Sequence, residues 1–316
     1  MTETIIFMGT PDFSVPILKR LHDEYQVAMV ISQPDKPVGR KRVLTSPPVA
    51  ETAKALNIPL FQPERIRDEA ALEKIAEIKP DLIITAAYGQ ILPKALLDIP
   101  PLGAINVHAS LLPKHRGGAP IHRAIMEGDT ETGVTIMYMA EGLDSGNIIS
   151  SRRTPIEDQD DTGILHDRLS AIGGDLLMDT LPDIFSEQNN SIPQDSELVT
   201  VSPNISKADE KIDWTRDARE VFNHIRGLSP WPGAYTEIED KRLKIYEVKI
   251  SESTPKEMNY IPGTIVDTTP EGITIVCGDG GTIEAITVQI AGKKRTTAIE
   301  FATGRQVVGT VLGQVE

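Results

Sequence analysis

Short apolar runs alternate with amphipathic segments along the first third of the chain. Thr4–Met8, Val27–Ile31 and Asp81–Ala87 are almost continuously apolar, as strands buried on both faces are. The segments between them, including Val49–Leu56 and Asp68–Ile78, repeat apolar residues at helical spacing. Apolar strands separated by helices are typical of a parallel sheet covered on both sides. We therefore predict an α/β fold for this part of the chain, with a doubly wound, mostly parallel, Rossmann-like sheet.

The alternation of apolar strands and helices ends at residues 190–206, a polar stretch that lacks periodicity. Residues 190–206 are interpreted as an interdomain linker, which separates a first domain of residues 1–189 from a second of residues 207–316. One amphipathic helix, Ala218–Leu228, opens the second domain, and five short runs of strand composition with glycine-rich turns follow it. These runs are Ala234–Ile238, Leu243–Ile250, Gly263–Asp267, Ile273–Cys277 and Ile283–Gln289. Their number and spacing predict a small, OB-like β-barrel.

The composition narrows the class of protein. At 316 residues, with 40% hydrophobic and 25% charged residues, the chain is long enough for two globular domains. The N-terminus carries an acidic residue before its apolar run, unlike a signal peptide, and no apolar run approaches the roughly eighteen residues of a membrane-spanning helix. The single cysteine, Cys277, excludes an intrachain disulfide and a multi-cysteine metal site. We expect a cytoplasmic protein without a membrane anchor.

A net charge of −14 disfavours indiscriminate binding to nucleic acid, because contacts to phosphates supply most of that affinity. One segment, Lys36–Arg42, runs against this balance because it contains no acid and four basic residues: Lys36, Arg40, Lys41 and Arg42. Gly39 and the prolines around it predict a long, mobile loop without regular structure. Such a charge run is often only a solvated face, but a phosphate-rich partner is the alternative. Lys293–Arg295 forms a second basic cluster in the second domain.

The polar residues most suited to chemistry follow the predicted strand Ala104–Val107. Ligands of open α/β sheets bind at the carboxyl ends of parallel strands, and the loop after the first strand lacks the G-x-G-x-x-G pattern of a dinucleotide site. Asn106 and His108 are two residues apart, so on an extended chain their side chains point to the same side. An amide donor beside an imidazole suits a developing oxyanion and proton transfer. The same pair is also typical of a turn-forming asparagine and a buried structural histidine.

Asp144 lies in a glycine-flanked turn between two predicted strands, Thr132–Met139 and Asn147–Ser151. Such a carboxylate is most often solvated; if the hairpin folds over the edge of the sheet, it reaches His108 and sets the tautomer or charge of the imidazole. Ser110 lacks the G-x-S-x-G surroundings of a serine nucleophile, and neither metal-ligand spacing nor a Walker A loop is present. A noncovalent transfer to an incoming amine fits these residues better than hydrolysis through an acyl-enzyme.

Several motifs along the chain resemble the methionyl-tRNA formyltransferase family. In the first domain they are Met8–Phe13 (MGTPDF), Gln33–Pro37 (QPDKP), Ala87–Pro93 (AYGQILP), Ile105–Pro113 (INVHASLLP), Thr132–Met137 (TGVTIM) and Gly142–Gly146 (GLDSG). In the second domain they are Lys211–Trp214 (KIDW), Ser229–Ala234 (SPWPGA) and Gly309–Gly313 (GTVLG). The resemblance covers essentially the whole chain. Ala109 and Gly118 stand where the pattern has a glycine and an alanine, and both exchange small residues.

The resemblance implies transfer of a formyl group from 10-formyltetrahydrofolate to the α-amino group of methionine on initiator methionyl-tRNA. It implies that Asn106 and His108 hold the oxyanion of the tetrahedral intermediate, and that Asp144 orients or charges His108 and assists removal of a proton from the amine. The residues implied to line the folate pocket are Ser110, Leu111, Leu112, Pro113, Ala87, Tyr88, Gly89, Gln90, Ile91 and Leu92. The residues implied to contact the tRNA are Lys36, Arg40, Lys41, Arg42 and Lys207, with Arg42 the leading candidate. No metal is implied.

The sequence alone leaves other acceptors of the formyl group open. Enzymes that carry the same three residues as Asn106, His108 and Asp144, here called the trio, formylate glycinamide ribonucleotide or sugar nucleotides, or hydrolyse formyltetrahydrofolate. The second domain disfavours the first of these, and the basic segment favours RNA over a small sugar. A noncatalytic binding protein is disfavoured because Asn106, His108 and Asp144 are all present. The acidic surface and the absence of heptad repeats favour a monomer.

Overall fold

The computed structural model describes residues 3–39, 41–251 and 260–313. The chain forms two compact units that interleave along the sequence. Unit 1 comprises residues 1–117, 131–154 and 166–202, and unit 2 comprises residues 118–130, 155–165 and 203–316. The boundaries at residues 189 and 206 stay a prediction, because the units are defined by contacts and not by uninterrupted segments.

The elements follow one another along the chain without long gaps. In chain order they are β1 (Ile5–Gly9), α1 (Ser14–Glu24), β2 (Val27–Ile31), β3 (Lys36–Val38), β4 (Val43–Thr45), α2 (Pro48–Ala55), β5 (Leu60–Phe61), α3 (Glu69–Ile78), β6 (Leu82–Ala86), α4 (Lys94–Leu97), β7 (Ala104–His108), α5 (Pro120–Met126), β8 (Glu131–Tyr138), β9 (Ile148–Pro155), α6 (Thr162–Phe185), a short 3-10 helix (Ser196–Leu198), α7 (Ala218–Gly227), β10 (Ala234–Ile238), β11 (Lys241–Ser251), β12 (Ile265–Thr268), β13 (Ile273–Val276), β14 (Thr282–Ile290), β15 (Thr296–Thr297) and α8 (Ala298–Ala302).

Unit 1 is built on a sheet with the strand order β5-β2-β1-β6-β7-β8-β9. The five strands from β5 to β7 are parallel, and β8 pairs antiparallel with β7. Every residue of β1 and β6 is buried, as expected for strands covered on both faces. The prediction of a doubly wound, mostly parallel domain is therefore confirmed.

The basic segment forms an antiparallel hairpin of β3 and β4, in which Lys36 faces Thr45 and Val38 faces Val43. The prediction of a loop without regular structure is wrong. Proline is tolerated where a strand has no further partner to hydrogen-bond, and the pair β3–β4 forms a sheet of its own. Gly39 and Arg42 both have positive φ, 71° and 49°, and close the turn through a hydrogen bond of 3.1 Å from Arg42 N to Gly39 O.

Unit 2 is built on an antiparallel sheet with the order β10-β11-β14-β13-β12, and β15 pairs with β14. Helix α7 buries Val221 and Ile225 in the core of this unit, and its first turn is capped by Asp217, which accepts a hydrogen bond of 2.7 Å from Glu220 N. A second domain of short antiparallel strands is confirmed, and its OB-like closure stays a prediction. No helix within the described ranges has the length and apolar character that crossing a membrane requires.

Candidate active site

Three loops at the carboxyl edge of the parallel strands of unit 1 are joined by side-chain hydrogen bonds. Ser14 Oγ donates to Ala86 O at 2.5 Å, which ties the start of α1 to the end of β6. Thr10 Oγ1 and Gln33 Nε2 both donate to the backbone oxygen of Tyr88, at 2.7 and 3.3 Å. The loops after β1, β2 and β6 are thereby held together, at the edge where ligands of such sheets bind.

Asn106, the third residue of β7, is oriented by the neighbouring strand. Thr85 faces it in the register between β6 and β7, and Thr85 Oγ1 donates to Asn106 Oδ1 at 2.8 Å. The side chain of Asn106 is half-buried, and within the described residues its Nδ2 makes no hydrogen bond. The amide therefore presents its N–H groups as free donors beside the carboxyl end of β7.

His108, two residues further along β7, is 6% exposed. Its Nε2 lies 3.0 Å from the backbone oxygen of His115. A carbonyl oxygen only accepts hydrogen bonds, so this contact assigns a proton to Nε2. The other ring nitrogen, Nδ1, lies 3.7 Å from Asp144 Oδ2, a distance for an ion pair and too long for a hydrogen bond. Nδ1 is therefore the nitrogen of His108 available for chemistry.

The carboxylate of Asp144 is held in place by one backbone N–H group of another loop. Its Oδ2 accepts a hydrogen bond of 2.8 Å from Gly117 N, and no residue in the described part of the chain donates to its Oδ1. Gly117 has a φ of 114°, and a Cβ there would lie 2.8 Å from Ser202 O, so the approach to Asp144 requires a glycine. The hairpin between β8 and β9 thus folds over the sheet edge and brings Asp144 to His108.

The residues expected to line the folate pocket fall into two groups. Ser110 is fully buried, and its hydroxyl donates to Lys114 O at 2.7 Å, so this side chain shapes its own loop. Thr135 Oγ1 donates to Ser110 O at 2.7 Å and accepts from Leu112 N at 3.2 Å, which anchors the loop to β8. Leu111 and Pro113 are half-buried. The turn from Ser110 to Pro113 is therefore a fixed wall beside His108.

The second group, the loop after β6, alternates buried and exposed side chains. Tyr88 and Leu92 belong to the core of unit 1, and burial raises the pKa of the Tyr88 hydroxyl to about 12. Ala87, Gly89 and Ile91 are exposed, and Gln90 Oε1 accepts a hydrogen bond of 2.9 Å from Ile66 N. Only backbone groups and the exposed residues of this loop are open to a ligand.

The basic hairpin presents its charges without acidic partners. Lys36, Lys41 and Arg42 are exposed, and none of them makes an ion pair within the described residues. Arg40 lies outside the described residues. The hairpin also exposes three apolar side chains, Val38, Val43 and Leu44, of which Leu44 is 67% exposed. Lys207 is an exposed residue of unit 2.

Sequence reasoning did not find the residues of the stretch 190–206 that support this site. Thr200 Oγ1 accepts a hydrogen bond of 2.8 Å from His115 N, and Ser202 Oγ lies 2.8 Å from His115 Nδ1. Gln194 contacts Arg116 and the Asp144 turn, although Gln194 and Arg116 are 78 positions apart. The stretch has no periodicity, and no local signal in the sequence marks these three residues.

The arrangement places an amide donor, an imidazole and a carboxylate at one edge of the sheet, without an activated hydroxyl or thiol. In the part of the chain that the structure describes, no group of three His, Cys, Asp or Glu residues is placed to hold a metal ion. Such a trio suits stabilisation of an oxyanion and transfer of a proton during a direct transfer between two bound substrates.

Family models match both parts of the chain. A model described as "Formyl transferase" matches residues 3–181, and one described as "Formyl transferase, C-terminal domain" matches residues 204–306. An N-formyltransferase from Helicobacter canadensis, solved in complex with folinic acid and dTDP-3-aminofucose, aligns with a TM-score of 0.68 over 90% of this chain and 99% of its own, at 20% identity. This likeness shows the fold, and the fold, the trio and both models define the class of protein as formyl transferases.

Curated relatives are much more similar in sequence. A protein of Lysinibacillus sphaericus named methionyl-tRNA formyltransferase is 55% identical over 95% of this chain and 96% of its own length. One of Staphylococcus aureus with the same name is 50% identical over 98% of each chain. The chain belongs to the methionyl-tRNA formyltransferase family.

Proposed function

We propose that the protein transfers the formyl group of 10-formyltetrahydrofolate to the α-amino group of methionine on initiator methionyl-tRNA, for translation initiation in the cytoplasm. The observation that carries the chemistry is the approach of His108 Nδ1 to Asp144 Oδ2, at 3.7 Å, beside the free amide donor of Asn106. The relatives' shared name supports the choice of acceptor. The enzyme acts as a monomer in this proposal.

The reaction proceeds through a noncovalent tetrahedral intermediate. The amine nitrogen attacks the formyl carbon, and the carbonyl oxygen becomes an oxyanion that accepts hydrogen bonds from Asn106 Nδ2 and from protonated His108 Nδ1. The carboxylate of Asp144 stabilises the imidazolium, and its free Oδ1 accepts a proton from the methionine nitrogen, which becomes positively charged as it bonds to the formyl carbon. The oxyanion then re-forms the carbonyl as the bond between the formyl carbon and N10 of the folate breaks, and the proton passes from Asp144 to N10, so that tetrahydrofolate leaves.

The folate lies between the two loops that flank the carboxyl ends of β6 and β7. The turn Ser110–Pro113 forms one wall, and backbone groups of Ala87–Leu92 receive the pterin. The anchoring of the first loop by Thr135 supports this placement, because a wall fixed in advance loses no freedom when the folate binds.

The β3–β4 hairpin contacts the acceptor end of the tRNA. Its unpaired cations, Lys36, Lys41 and Arg42, bind phosphates, and Arg40 and Lys207 are expected to do the same. The exposed side chains of Val38, Val43 and Leu44 give the hairpin an apolar surface that packs against bases. The family is expected to recognise a mispaired acceptor end of the initiator tRNA, and unpaired bases are the parts of an RNA that such a hairpin reaches.

The acceptor is tested by supplying 10-formyltetrahydrofolate with methionine on initiator tRNA, methionine on elongator tRNA, free methionine or an amino-sugar nucleotide. We expect formylated product on initiator methionyl-tRNA, with elongator methionyl-tRNA and the small acceptors far slower. Formylation of the sugar nucleotide, or loss of the formyl group to water with every acceptor, would instead identify another member of the superfamily.

A further inference from the structure

The side-chain amide of Gln194 is fully hydrogen-bonded. Its Oε1 accepts from Arg116 Nε at 3.0 Å and from Arg116 Nη2 at 2.8 Å, and its Nε2 donates to the backbone oxygens of Asp144 and Gly146, each at 2.8 Å. An arginine side chain has only donors and a carbonyl oxygen only accepts, so the amide has one possible orientation. Gln194 therefore bridges two loops with every donor and acceptor it carries.

The two loops joined by Gln194 are those that meet at the carboxylate of Asp144. One is the turn that contains Asp144, and the other leads from Arg116 directly to Gly117, whose N–H donates to Asp144 Oδ2 at 2.8 Å. Gln194 is thus connected to both sides of this hydrogen bond, and through it to the position of the carboxylate relative to His108.

The backbone of Asp144 needs such support. Its φ is 43°, a left-handed conformation that costs a residue other than glycine free energy and persists only where its surroundings fix it. The turn is fixed at one end because Gly146 packs against the backbone of Tyr138, where a Cβ would overlap the carbonyl oxygen. In the middle of the turn, at the residue that carries the carboxylate, Gln194 supplies a hydrogen bond to Asp144 O.

We propose that Gln194 is a positioning residue of the formyl transfer reaction, which holds Asp144 in the conformation that faces His108. The proposal rests on the proposed function, because its role is to place a carboxylate that takes part in that reaction. It assigns a task in the active site to the stretch 190–206, whose composition is that of a linker.

The test uses the full-length enzyme in single-turnover formylation of initiator methionyl-tRNA, with enzyme in excess so that slow variants remain measurable. Gln194→Ala removes all four hydrogen bonds. Gln194→Glu keeps an acceptor for Arg116 but turns an oxygen toward the carbonyls of Asp144 and Gly146, which repels them. We expect both variants to lower the rate of the chemical step about ten- to a hundredfold, with the KM values for folate and tRNA within about twofold of wild type.

Two controls separate positioning from general damage to the fold. Ser191→Ala removes a hydroxyl of the same stretch that contacts Asn147 and not the Asp144 turn, and it should retain the wild-type rate. In an Asp144→Asn background, Gln194→Ala should have little further effect, because Gln194 acts through the carboxylate. Thermal unfolding of each variant confirms that it is folded.

The outcomes distinguish failure of the Gln194 positioning role from failure of the proposed function. Wild-type rates in both Gln194 variants, or a loss of the same factor in the Asp144→Asn background, would overturn the positioning role while the proposed function stands. A wild-type enzyme that does not formylate methionyl-tRNA would overturn the proposed function and this role with it.

Discussion

The trio around His108 and the β3–β4 hairpin are two regions of unit 1 built on opposite principles. Each side chain of the trio is held by a group from a different strand or loop: Asn106 by Thr85, His108 by the His115 carbonyl and Asp144 by Gly117. The hairpin forms a sheet of its own that is tied at its base through Asp35, and its basic side chains have no partner within the described residues. The side chains of the trio are therefore held in defined positions by hydrogen bonds, whereas the basic side chains of the hairpin are exposed to solvent.

The two ends of the β3–β4 hairpin are joined by hydrogen bonds to Asp35. Asp35, just before β3, accepts hydrogen bonds from Gln62 Nε2 at 2.8 Å and from Ser46 Oγ, just after β4, at 2.9 Å. These two bonds hold the pKa of the Asp35 carboxyl below its usual value. The two ends of the hairpin are therefore joined by an ionised carboxylate, and its cations extend beyond that point. We expect variants of the trio to change the chemical step and variants of the hairpin to change binding.

The largest effect is expected from His108→Ala. Loss of one donor to an oxyanion typically costs about 10²–10³ in rate, so kcat should fall by this factor while the affinity for tRNA stays near the wild-type value. Steady-state formylation and direct tRNA binding measure the two quantities separately. Activity within about tenfold of wild type would show that His108 does not stabilise the oxyanion.

Thr85→Val should reduce kcat by about tenfold, because Asn106 loses the hydrogen bond that orients its amide and only part of the donor's contribution disappears with it. Thr85→Ser keeps the hydroxyl and should stay within about twofold of wild type. Equal activities of the two variants would mean that the hydroxyl does not orient Asn106.

Lys41→Ala and Arg42→Ala should each raise the KM for tRNA several-fold and leave the KM for folate unchanged. Each substitution removes one cation from the hairpin, so the slope of log affinity against log salt should become shallower by about 1. Lys19→Ala, on the exposed face of α1, changes the net charge equally and serves as the control. If the hairpin variants and Lys19→Ala have the same salt slope, the cations of the hairpin are only solvated and do not bind tRNA phosphates.

Acid should destabilise unit 2 through His224, and this effect has to be separated from any effect of pH on the trio. Burial lowers the pKa of His224 to about 4, with Arg216 acting in the same direction, and its Nε2 is buried without a partner among the described residues. The folded state binds fewer protons than the unfolded state, so the free energy of unfolding falls as the pH drops from about 6.5 to about 4.

The two tryptophans of the sequence, Trp214 and Trp231, both lie in unit 2, so their fluorescence reports on its unfolding. Between pH 7 and pH 5 the wild type should lose about 2 kcal/mol more than His224→Leu in urea unfolding. Equal losses in the two proteins would show that His224 is not the group responsible, and activity at pH 7 should be the same in both.

The sequence predicted the long strands of both sheets because their apolar runs are continuous, as in β1 and β6, and because β-branched residues recur between glycine-rich turns in unit 2, whereas the two-residue strand β15 has no such run. It predicted Asn106 and His108 as a pair because a strand places alternate residues on one side. The same periodicity does not locate Asp144, whose approach to His108 depends on the glycine at position 117 and on a hairpin that crosses the sheet edge.

Other features depend on contacts between distant residues. The hairpin was missed because prolines are compatible with a strand that has a single partner, a condition that local composition does not reveal. Gln194, Thr200 and Ser202 were missed because a polar side chain that bonds to a backbone group far along the chain leaves no repeat and no motif. Hydrogen bonds of this kind make the site precise, and they are the part of a fold that periodicity does not encode.

The most direct test of the account is a double-mutant cycle of His108→Ala and Asp144→Asn, read as single-turnover formylation of initiator methionyl-tRNA. If the imidazole and the carboxylate act as one unit across the 3.7 Å that separates them, the double variant should be about as slow as the slower single variant. Rate losses that multiply in the double variant would contradict the account, because the two side chains would then act independently.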